Sequence, residues 1–415
     1  MSKTKQHWLI IAHCFNMDGR AASRVVTDRV SLFLEHNIEP IIVSAATGAK
    51  LDQFQHYQVI SWAPSGLRFE LRHMLANRRW VRLIFNVLIS PFYWIERLFI
   101  RLDSQWSWFA SAYIKGSKLV REKNISVVYS SGGAISAHIV ALLIKRKYSS
   151  VWIAEFHDPI GLREIKYRGR SRGLYDWLEQ KICDSADHLL FTTKAAKALA
   201  KKRYDVKGEL HTVYAGVDPT VEKLSSERKF DGDFVITHIG SLAGRRNLKC
   251  LMRALELIYS QPRQMSLSIR LYGTIESSVR ADVAKSPLEH LVQFEGTVPS
   301  SKVGQTMAES DLLLLVHGGQ KIVAQTTIPS KVFEYLHSSR PVFALVQDNH
   351  ELYEILKDAG AYVAHALDAE DIADVLNICL KDYESQNLRS VSAGAFSATG
   401  AVRKIVSLAD RNELI

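Results

Sequence analysis

Alternation between strand-like and helix-like segments is the feature that most constrains the fold of this chain. Short apolar runs are separated by segments of helical periodicity along nearly the whole sequence. In the first half these runs are HWLIIAHCF, EPIIVSAA, ISVVYSSGG, SVWIAEFHD, HLLFTT and ELHTVYAG, and the series restarts with FVITHIGSL, LSIRLYG, VQFEGTV, DLLLLVH, PVFALV and YVAHA. Strands that alternate with helices form parallel sheets covered by helices. The sequence therefore predicts an α/β protein with two doubly wound domains in tandem.

A polar stretch between the two series predicts where the first domain ends. We expect an N-terminal domain over 1–218, a linker over 219–233, a C-terminal domain over 234–395, and a final helix over 396–415 that packs back on the N-terminal domain. A chain of 415 residues is long enough for two separate cores. Ligands of doubly wound sheets bind beyond the carboxyl ends of the strands, so we expect the two domains to face each other across a cleft.

Cysteine usage and the first residues of the chain indicate a reducing compartment. The four cysteines are far apart and form no C-x-x-C pair, so neither a metal site nor a redox motif is expected. The opening MSKTKQ leads directly into a strand-like run, without the cleavage site of a signal peptide. We therefore expect a cytoplasmic protein.

The net charge of +10 is concentrated in residues 68–121, which are also rich in aromatic residues. The longest apolar run there, LIFNVLISPFYWI, is shorter than the ~20 residues that span a bilayer. Arginines and aromatic rings on one helical surface suit anionic headgroups and the acyl boundary. We expect peripheral association with the anionic inner face of the plasma membrane; the alternative is core helices with solvated arginines. Nucleic acid is not expected, because zinc-finger spacing and RNP-like aromatic strands are missing from the sequence.

The segment TIPSKVFEYL, from Thr327 to Leu336, is predicted to bind a nucleotide. It follows a buried strand, and backbone amides at the start of a helix suit a phosphate. Lys331 adds positive charge, and Glu334, one turn later, suits the hydroxyls of a ribose. The alternative is a capped helix whose lysine and glutamate lie in solvent.

A second candidate phosphate contact is the turn GSLAGRRN, which follows the strand FVITHI. Gly240 and Ser241 let the backbone pass close to a ligand, and Arg245 and Arg246 offer planar donor groups to phosphate oxygens. Alone, the turn also fits an ordinary helix entry with solvated arginines. Its weight comes from lying in the same domain as Lys331.

Several longer segments occur in the order found in one enzyme family. They are HCFNMDGRAASRVVTDRVSLFLEHNIEPIIVS, DSQWSW with VVYSSGGAISAHIVALL and IAEFHDPIG, SADHLLFTT, VYAGVD, THIGSLAGRRN and IPSKVFEYLHSSRPVFA. In these segments, which cover nearly the whole chain, the protein resembles the GT-B glycosyltransferases, specifically the bacterial branch of retaining family four that builds surface polysaccharides. The resemblance implies two Rossmann-like domains, a nucleotide-diphosphate-sugar donor held by the C-terminal domain, and a lipid-linked or glycan acceptor held by the N-terminal domain, as in lipopolysaccharide synthesis. UDP is the expected nucleotide, and no metal or other cofactor is expected.

The resemblance also implies roles for individual residues. Glu334 matches the glutamate that binds the donor ribose, Ser330 and Lys331 would lie by the diphosphate, and Arg246 falls near the family's phosphate-binding lysine. The full set of donor-binding candidates is Gly240, Ser241, Arg245, Arg246, His317, Gly318, Gly319, Ser330, Lys331 and Glu334. The candidates for an acceptor and phosphate loop are Asn16, Asp18, Gly19 and Arg20, and the catalytic candidates are His157 and Asp158.

Two positions depart from the family pattern. A second glutamate normally stands eight residues before Glu334, and this chain has Thr326 there. The arginine that often follows the glycine of the phosphate loop is Ser241. We therefore expect the remaining cations to hold the diphosphate and the backbone amides of residues 317–319 to hold sugar hydroxyls.

The reaction course and two other functions stay open at this point. With retention of configuration the leaving phosphate can take the acceptor proton, whereas inversion needs a base, for which His13 and His157 are the candidates. A nucleotide-sugar 2-epimerase of the same fold would need acid–base carboxylates and no membrane surface. A non-catalytic sugar-nucleotide-binding subunit is compatible with Thr326.

Overall fold

A computed structural model describes residues 5–17, 21–100, 102–160, 170–217, 233–260, 266–394 and 396–411. The chain divides into two compact units: unit 1 is Met1–Ala215 with Ala398–Ile415, and unit 2 is Gly216–Ser397. Of the expected linker, 219–233, residues 219–232 lie outside the described residues, and Asp233 already belongs to a strand.

Unit 1 is built on a seven-stranded parallel sheet in the order β3-β2-β1-β4-β5-β6-β7. Its strands are β1 (Gln6–Ala12), β2 (Ile38–Ala45), β3 (Gln55–Val59), β4 (Ile125–Ser131), β5 (Val151–Phe156), β6 (His188–Phe191) and β7 (Glu209–Thr212). Its helices are α1 (Ala21–Val30), α2 (Pro64–Met74), α3 (Arg79–Phe99), α4 (Trp108–Glu122), α5 (Ile135–Lys147), α6 (Arg170–Ser185) and α7 (Lys194–Arg203), with a 3-10 helix at Ser31–His36. The central strands are apolar on both faces, as in parallel sheets covered on both sides.

Alternate residues of the central strand β1 enter two different core layers. Leu9 and Ile11 pack in the layer that includes residues of α4 and α5. Trp8 and Ile10 face the opposite side and pack with α1 and with Val402 of a C-terminal helix. That C-terminal helix therefore completes one core layer of unit 1.

Unit 2 is built on a six-stranded parallel sheet in the order β10-β9-β8-β11-β12-β13. Its strands are β8 (Asp233–Ile239), β9 (Ser266–Tyr272), β10 (Val292–Gly296), β11 (Leu312–Val316), β12 (Val342–Val346) and β13 (Tyr362–His365). The remaining helices are α8 (Lys249–Tyr259), α9 (Ser277–Val283), α10 (Ser300–Ala308), α11 (Lys321–Thr326), α12 (Lys331–His337), α13 (His350–Asp358), α14 (Ala369–Glu384) and, in unit 1, α15 (Ala398–Arg411), with a 3-10 helix at Glu289–Leu291. The predicted architecture of two Rossmann-like α/β domains is confirmed.

In each sheet the strand order reverses at the first strand of the unit. In unit 1, β1 lies between β2 and β4, and in unit 2, β8 lies between β9 and β11. A crevice opens beyond the carboxyl ends of the strands at such a reversal, and ligands of doubly wound sheets bind there. The residues that follow β1 and β4 in unit 1, and β8 and β11 in unit 2, are therefore where each unit offers a site.

Candidate functional site

In unit 2, the turns after β8 and β11 lie side by side. A Cβ atom placed on Gly318 would lie 3.2 Å from the carbonyl oxygen of Arg245, so the two turns are almost in contact. A Cβ atom on Gly273 would lie 2.1 Å from the carbonyl oxygen of Gly240, so the turn after β8 requires a glycine beside it. Arg246 is half-buried, and within the described parts of the chain its side chain forms no hydrogen bond or ion pair.

Helix α12 carries Lys331 and Glu334 to the same strand end. The Ile239 amide, at the end of β8, donates to the Tyr335 hydroxyl at 2.9 Å and fixes α12 against the strand. The Lys331 Nζ atom lies 2.8 Å from Glu334 Oε2, and the Glu334 side chain is only 8% exposed. Because Glu334 is buried and paired, the alternative of a solvated lysine and glutamate does not describe this helix.

His238 is a residue of this region that sequence reasoning missed. Its Nδ1 donates to the Leu314 carbonyl at 2.9 Å, and its buried Nε2 faces the turn, 3.3 Å from where a Cβ on Gly240 would lie. Burial and the positive charges of Arg246 and Lys331 lower the pKa of His238 to about 4, against the effect of the Leu314 bond. His238 is therefore neutral at pH 7, and two cations from separate segments converge on it.

The end of β11 corrects one expectation. The amide of His317 donates to the Leu345 carbonyl at 2.9 Å, and the amide of Gly319 donates to the Gln347 side chain at 3.2 Å. The expectation that the amides of residues 317–319 hold sugar hydroxyls is therefore wrong for His317, whose amide continues the pairing with β12, and Gly319 is already bonded. Burial also lowers the pKa of His317 to about 4.

The other donor candidates differ in exposure. Ser241 and Arg245 are exposed, and Ser330 is half-buried at the start of α12. Thr326, which stands where the family has a glutamate, is buried, and its hydroxyl donates to the Ile322 carbonyl at 2.5 Å. The Thr326 hydroxyl is therefore bonded to a backbone carbonyl of its own helix, α11.

In unit 1, the catalytic candidate His157 follows β5. Its Nε2 lies 3.1 Å from Glu155 Oε2 and 3.0 Å from the Ser131 hydroxyl, while its buried Nδ1 has no partner within the described residues. An ionised carboxylate can only accept, so the neutral form of the ring would carry its proton on Nε2 and present Nδ1 as an acceptor. Asp158, the next residue, is exposed.

Glu155 belongs to a buried network that sequence reasoning also missed. Its carboxylate accepts from Arg29 and from the Tyr129 hydroxyl, and all three side chains are buried. Burial alone would raise the pKa of Glu155, but the charge of Arg29 and the bond from His157 hold it well below its usual range. A charged residue inside the otherwise apolar run SVWIAEF was the signal available in the sequence.

The loop after β1 is tied down by side chains. The backbone amide of Asn16 donates to the Thr27 hydroxyl at 2.8 Å, and the side-chain amide of Asn16 donates to the Ala49 carbonyl at 2.9 Å. Asp18, Gly19 and Arg20, the other residues expected in this loop, lie outside the described residues.

At the start of the same loop, His13 Nε2 lies 3.8 Å from the buried carboxylate of Glu70. Burial alone would lower the pKa of His13, but Cys14 and Glu70 raise it to about 8.

Helix α3 exposes an apolar face on unit 1. None of its 21 residues is buried. The following apolar side chains are each more than half exposed: Trp80, Ile84, Val87, Leu88, Phe92, Trp94, Ile95, Leu98 and Phe99. The half-buried residues, which form the opposite face, are mostly polar: Arg82, Asn86, Ile89, Ser90, Tyr93, Glu96 and Arg97. The apolar face of α3 therefore points away from the protein, the reverse of an ordinary surface helix.

Polar contacts hold α3 in this orientation. The Glu96 carboxylate accepts from the Ser65 amide at 2.8 Å and from the Trp106 indole at 2.6 Å, and Arg68 lies 5.0 Å from the centre of the Tyr93 ring. The expectation that all of 68–121 forms an exposed aromatic surface is wrong for Trp106 and for Trp108 in α4, because their rings are buried in unit 1. Among the described helices, none is long and apolar enough to cross a membrane.

A comparison with protein families matches residues 86–221 to Glycosyltransferase Family 4. No curated protein sequence matches the chain.

Solved structures that are similar to the chain include HepE of Anabaena in complex with UDP and glucose, with a TM-score of 0.64 and 14% identity over 98% of this chain and 100% of that one. The lipopolysaccharide outer core galactosyltransferase WaaB, in its apo form, is similar with a TM-score of 0.61 and 13% identity over 98% and 100% of the two chains. Sucrose-phosphate synthase of Thermosynechococcus elongatus has a TM-score of 0.62 and 11% identity over 99% and 98%. At these identities the structural likeness establishes the fold.

Proposed function

We propose that this glycosyltransferase of the GT-B fold, which is similar to glycosyltransferase family 4, transfers a sugar from a UDP-sugar to a lipid-linked or glycan acceptor. The transferred group is a hexosyl or N-acetylhexosaminyl group, and the setting is surface polysaccharide synthesis, such as that of lipopolysaccharide. One observation carries the proposal: the turn that bears Arg246 and the helix α12 that bears Lys331 both lie at the end of β8, where the Ile239 amide donates to the Tyr335 hydroxyl of α12.

Two cations at one strand end suit the diphosphate of the donor. As the bond between sugar and phosphate breaks, negative charge grows on the departing diphosphate, and fixed cations stabilise that charge most in the transition state. Arg246 forms no ion pair within the described residues, so its donor fork is available to phosphate oxygens. Lys331 approaches from a different segment, so the two cations can hold different oxygens.

Acceptor groups in the same region suit the hydroxyls of the donor. The Glu334 carboxylate is bonded to Lys331. When Lys331 pairs with a bound diphosphate, the Glu334 carboxylate can accept hydrogen bonds from the ribose hydroxyls. The neutral His238 ring presents Nε2 as an acceptor. This atom suits a hydroxyl of the donor or a bridging water, whereas a phosphate oxygen offers it no proton.

Sugar transfer proceeds with retention in this proposal and needs no metal. The leaving phosphate takes the acceptor proton, so a strong protein base is not required. His157 and Asp158 contact the transferred sugar, with Nδ1 of His157 accepting from a hydroxyl. Asn16, together with residues 18–20, contacts the donor phosphate and the acceptor.

The first test is a thermal-shift screen against UDP, GDP, ADP, TDP and CMP, with the corresponding sugar nucleotides. A ligand present at a hundred times its dissociation constant stabilises the fold by about 2.7 kcal/mol, which is readily detected. We expect UDP and a UDP-sugar to raise the melting temperature. A shift with another nucleotide alone would overturn the choice of donor, and binding without turnover would instead indicate a non-catalytic subunit.

The second test locates the diphosphate. Removing a charge-assisted hydrogen bond costs about 1.5–3 kcal/mol, so Lys331→Ala should weaken UDP-sugar binding by roughly 10- to 100-fold. Thr326→Ala is the matched control, because its hydroxyl bonds within α11, and it should change the affinity by only about two- to threefold. Equal losses in the two variants would contradict the assignment of the diphosphate to Lys331.

We propose further that α3 lies on an anionic membrane and brings a lipid-linked acceptor within reach. Its exposed apolar face suits the acyl boundary, and three arginines at and just before its start, Arg78, Arg79 and Arg82, suit anionic headgroups. Each basic residue at such a surface contributes about 1 kcal/mol. Polar contacts through Glu96 fix the helix with its apolar face outward.

Vesicle co-sedimentation tests the membrane proposal. Replacing Arg78, Arg79 and Arg82 with glutamate should release the protein from vesicles that contain phosphatidylglycerol. The matched control replaces three exposed lysines of α7, Lys194, Lys201 and Lys202, with glutamate and changes the net charge equally. Unchanged binding of the arginine variant, or equal release of both variants, would overturn the role of α3. If the apolar face instead joins two copies of the chain, sedimentation velocity will show a dimer without lipid.

A further inference from the structure

Three metal-ligating side chains converge where β6 and β7 begin in unit 1. His188 pairs with Glu209 in the strand register, and His211 lies two residues further along β7, so all three side chains project from the same face of the sheet. His188 Nδ1 lies 3.3 Å from His211 Nε2, His211 Nε2 lies 3.3 Å from Glu209 Oε2, and His188 Nδ1 lies 3.8 Å from Glu209 Oε2.

These distances correspond to one face of a zinc coordination tetrahedron. With zinc bonds of about 2.0–2.1 Å to nitrogen and oxygen, the ligand atoms of a regular tetrahedron lie about 3.3–3.4 Å apart. Two of the three separations already have that length. The third needs a shift of the Glu209 carboxylate, whose side chain is 60% exposed and can move. We propose that His188, Glu209 and His211 bind one Zn²⁺ ion, with water in the fourth position.

The ligand set, and not the surrounding charge, favours zinc at this site. Lys197 and Lys404 place positive charge near His211, so net negative charge does not attract cations in general. Two imidazoles and one carboxylate form a ligand set that zinc accepts, whereas Ca²⁺ and Mg²⁺ require shells of oxygen. A hydrogen bond between the two rings would also bring them to 3.3 Å, but it would give no affinity for a metal.

The location indicates a structural role for this metal. His188 and Glu209 are the first residues of their strands, so the site lies at the amino-terminal ends of the strands. His13 and His157 lie at the opposite, carboxyl ends. A metal here would fasten β7, which is the edge strand, to β6. β7 is also the last strand before the chain enters unit 2 at Gly216. The inference is therefore independent of the sugar-transfer proposal.

Isothermal titration with Zn²⁺, on full-length protein stripped with chelator and carrying no histidine tag, tests the inference. We expect one ion per chain with a sub-micromolar dissociation constant, a higher melting temperature, and at least a hundredfold weaker binding by His211→Ala. Because His188 is buried, its replacement endangers folding, so Glu209→Gln serves as the second ligand variant and should also weaken binding.

A matched control is His350→Ala, which removes an exposed histidine that lies one turn from Glu354 on α13. It should bind Zn²⁺ like the unaltered chain. Co²⁺ in place of Zn²⁺ should give the intense visible absorption of a tetrahedral site. The inference fails if the unaltered chain binds no stoichiometric Zn²⁺, or if His211→Ala binds it as tightly.

Discussion

Histidines at the carboxyl ends of strands meet opposite surroundings in the two units. In unit 1, His13 and His157 lie within 4 Å of a buried carboxylate, Glu70 in one case and Glu155 in the other. In unit 2, His238 and His317 are buried near the positive charge of Arg246, and the pKa of each falls to about 4. The carboxylates in unit 1 compensate positive charge inside the protein, whereas Arg246 in unit 2 has no carboxylate partner within the described residues. An incoming anion can supply it, which is why the comparison favours unit 2 as the diphosphate site.

The largest expected effect concerns the carboxylate side of this comparison. Glu155→Gln leaves the buried Arg29 without its counter-charge, and breaking a buried pair from one side costs about 3–5 kcal/mol. All eight tryptophans precede residue 178, so urea unfolding followed by tryptophan fluorescence reports on unit 1. A loss below about 1 kcal/mol would show that Arg29 finds other partners and that the network is not a charge pair.

Acidification should affect the cationic side next. His238 has a pKa of about 4 in the folded chain and an ordinary value of 6.5, so the unfolded chain binds the proton more readily. The contribution of the neutral His238 ring to stability is therefore complete above pH 6.5. The free energy of unfolding falls by about 3 kcal/mol as the pH drops to 4. Because unit 2 lacks tryptophan, circular dichroism, and not tryptophan fluorescence, is used to follow its unfolding. His238→Asn, which keeps a donor toward Leu314, should remove this share of the acid loss, and an identical pH profile would refute the burial of a neutral ring.

His13 should respond to pH in the opposite direction. Its pKa is about 8 in the folded chain, above its ordinary value of 6.5, so its contribution is complete below pH 6.5 and is lost as the pH rises through 8. The expected loss is about 2 kcal/mol, measured by tryptophan fluorescence during urea unfolding at pH 6 and pH 9. His13→Asn should flatten the profile. If the unaltered chain is equally stable at both values, His13 is not charged inside unit 1.

The smallest expected change in stability separates support from ligand binding. Glu334→Gln breaks a pair whose lysine is 29% exposed, so the free energy of unfolding should fall by less than about 1 kcal/mol. UDP-sugar binding should nevertheless weaken by roughly tenfold, because the ribose hydroxyls lose a charged acceptor. A large loss of stability with unchanged affinity would make Glu334 a structural residue like Glu155.

The strands were predictable where their sequences are continuously apolar, and less so at the sheet edge. The edge strand β3, Gln55–Val59, was not predicted, because its sequence is polar and its residues are mostly half-buried, as an edge strand allows. The burial of Trp108 could not be read from composition, since aromatic residues in a basic segment fit a core and a membrane surface equally well.

For the candidate site, the sequence identified groups but not their partners. Lys331 and Arg246 were predictable as cations near strand ends. That both act on His238 depends on the adjacency of β8 and α12, which no local pattern encodes. In the same way, the His317 amide is not available to a sugar hydroxyl, because the backbone hydrogen bonds between β11 and β12 extend one residue beyond the end of β11.

The return of the chain to unit 1 has a consequence for biosynthesis. Val402 and Ile405 of α15 belong to the same core layer as Trp8 and Ile10. Because the ribosome makes α15 after unit 2, unit 1 cannot finish its core until all of unit 2 has been translated, although β1 is made before unit 2. Unit 2 is one continuous stretch and can close earlier. A premature stop codon shortly before residue 398 would therefore damage the half of the protein that is synthesised first.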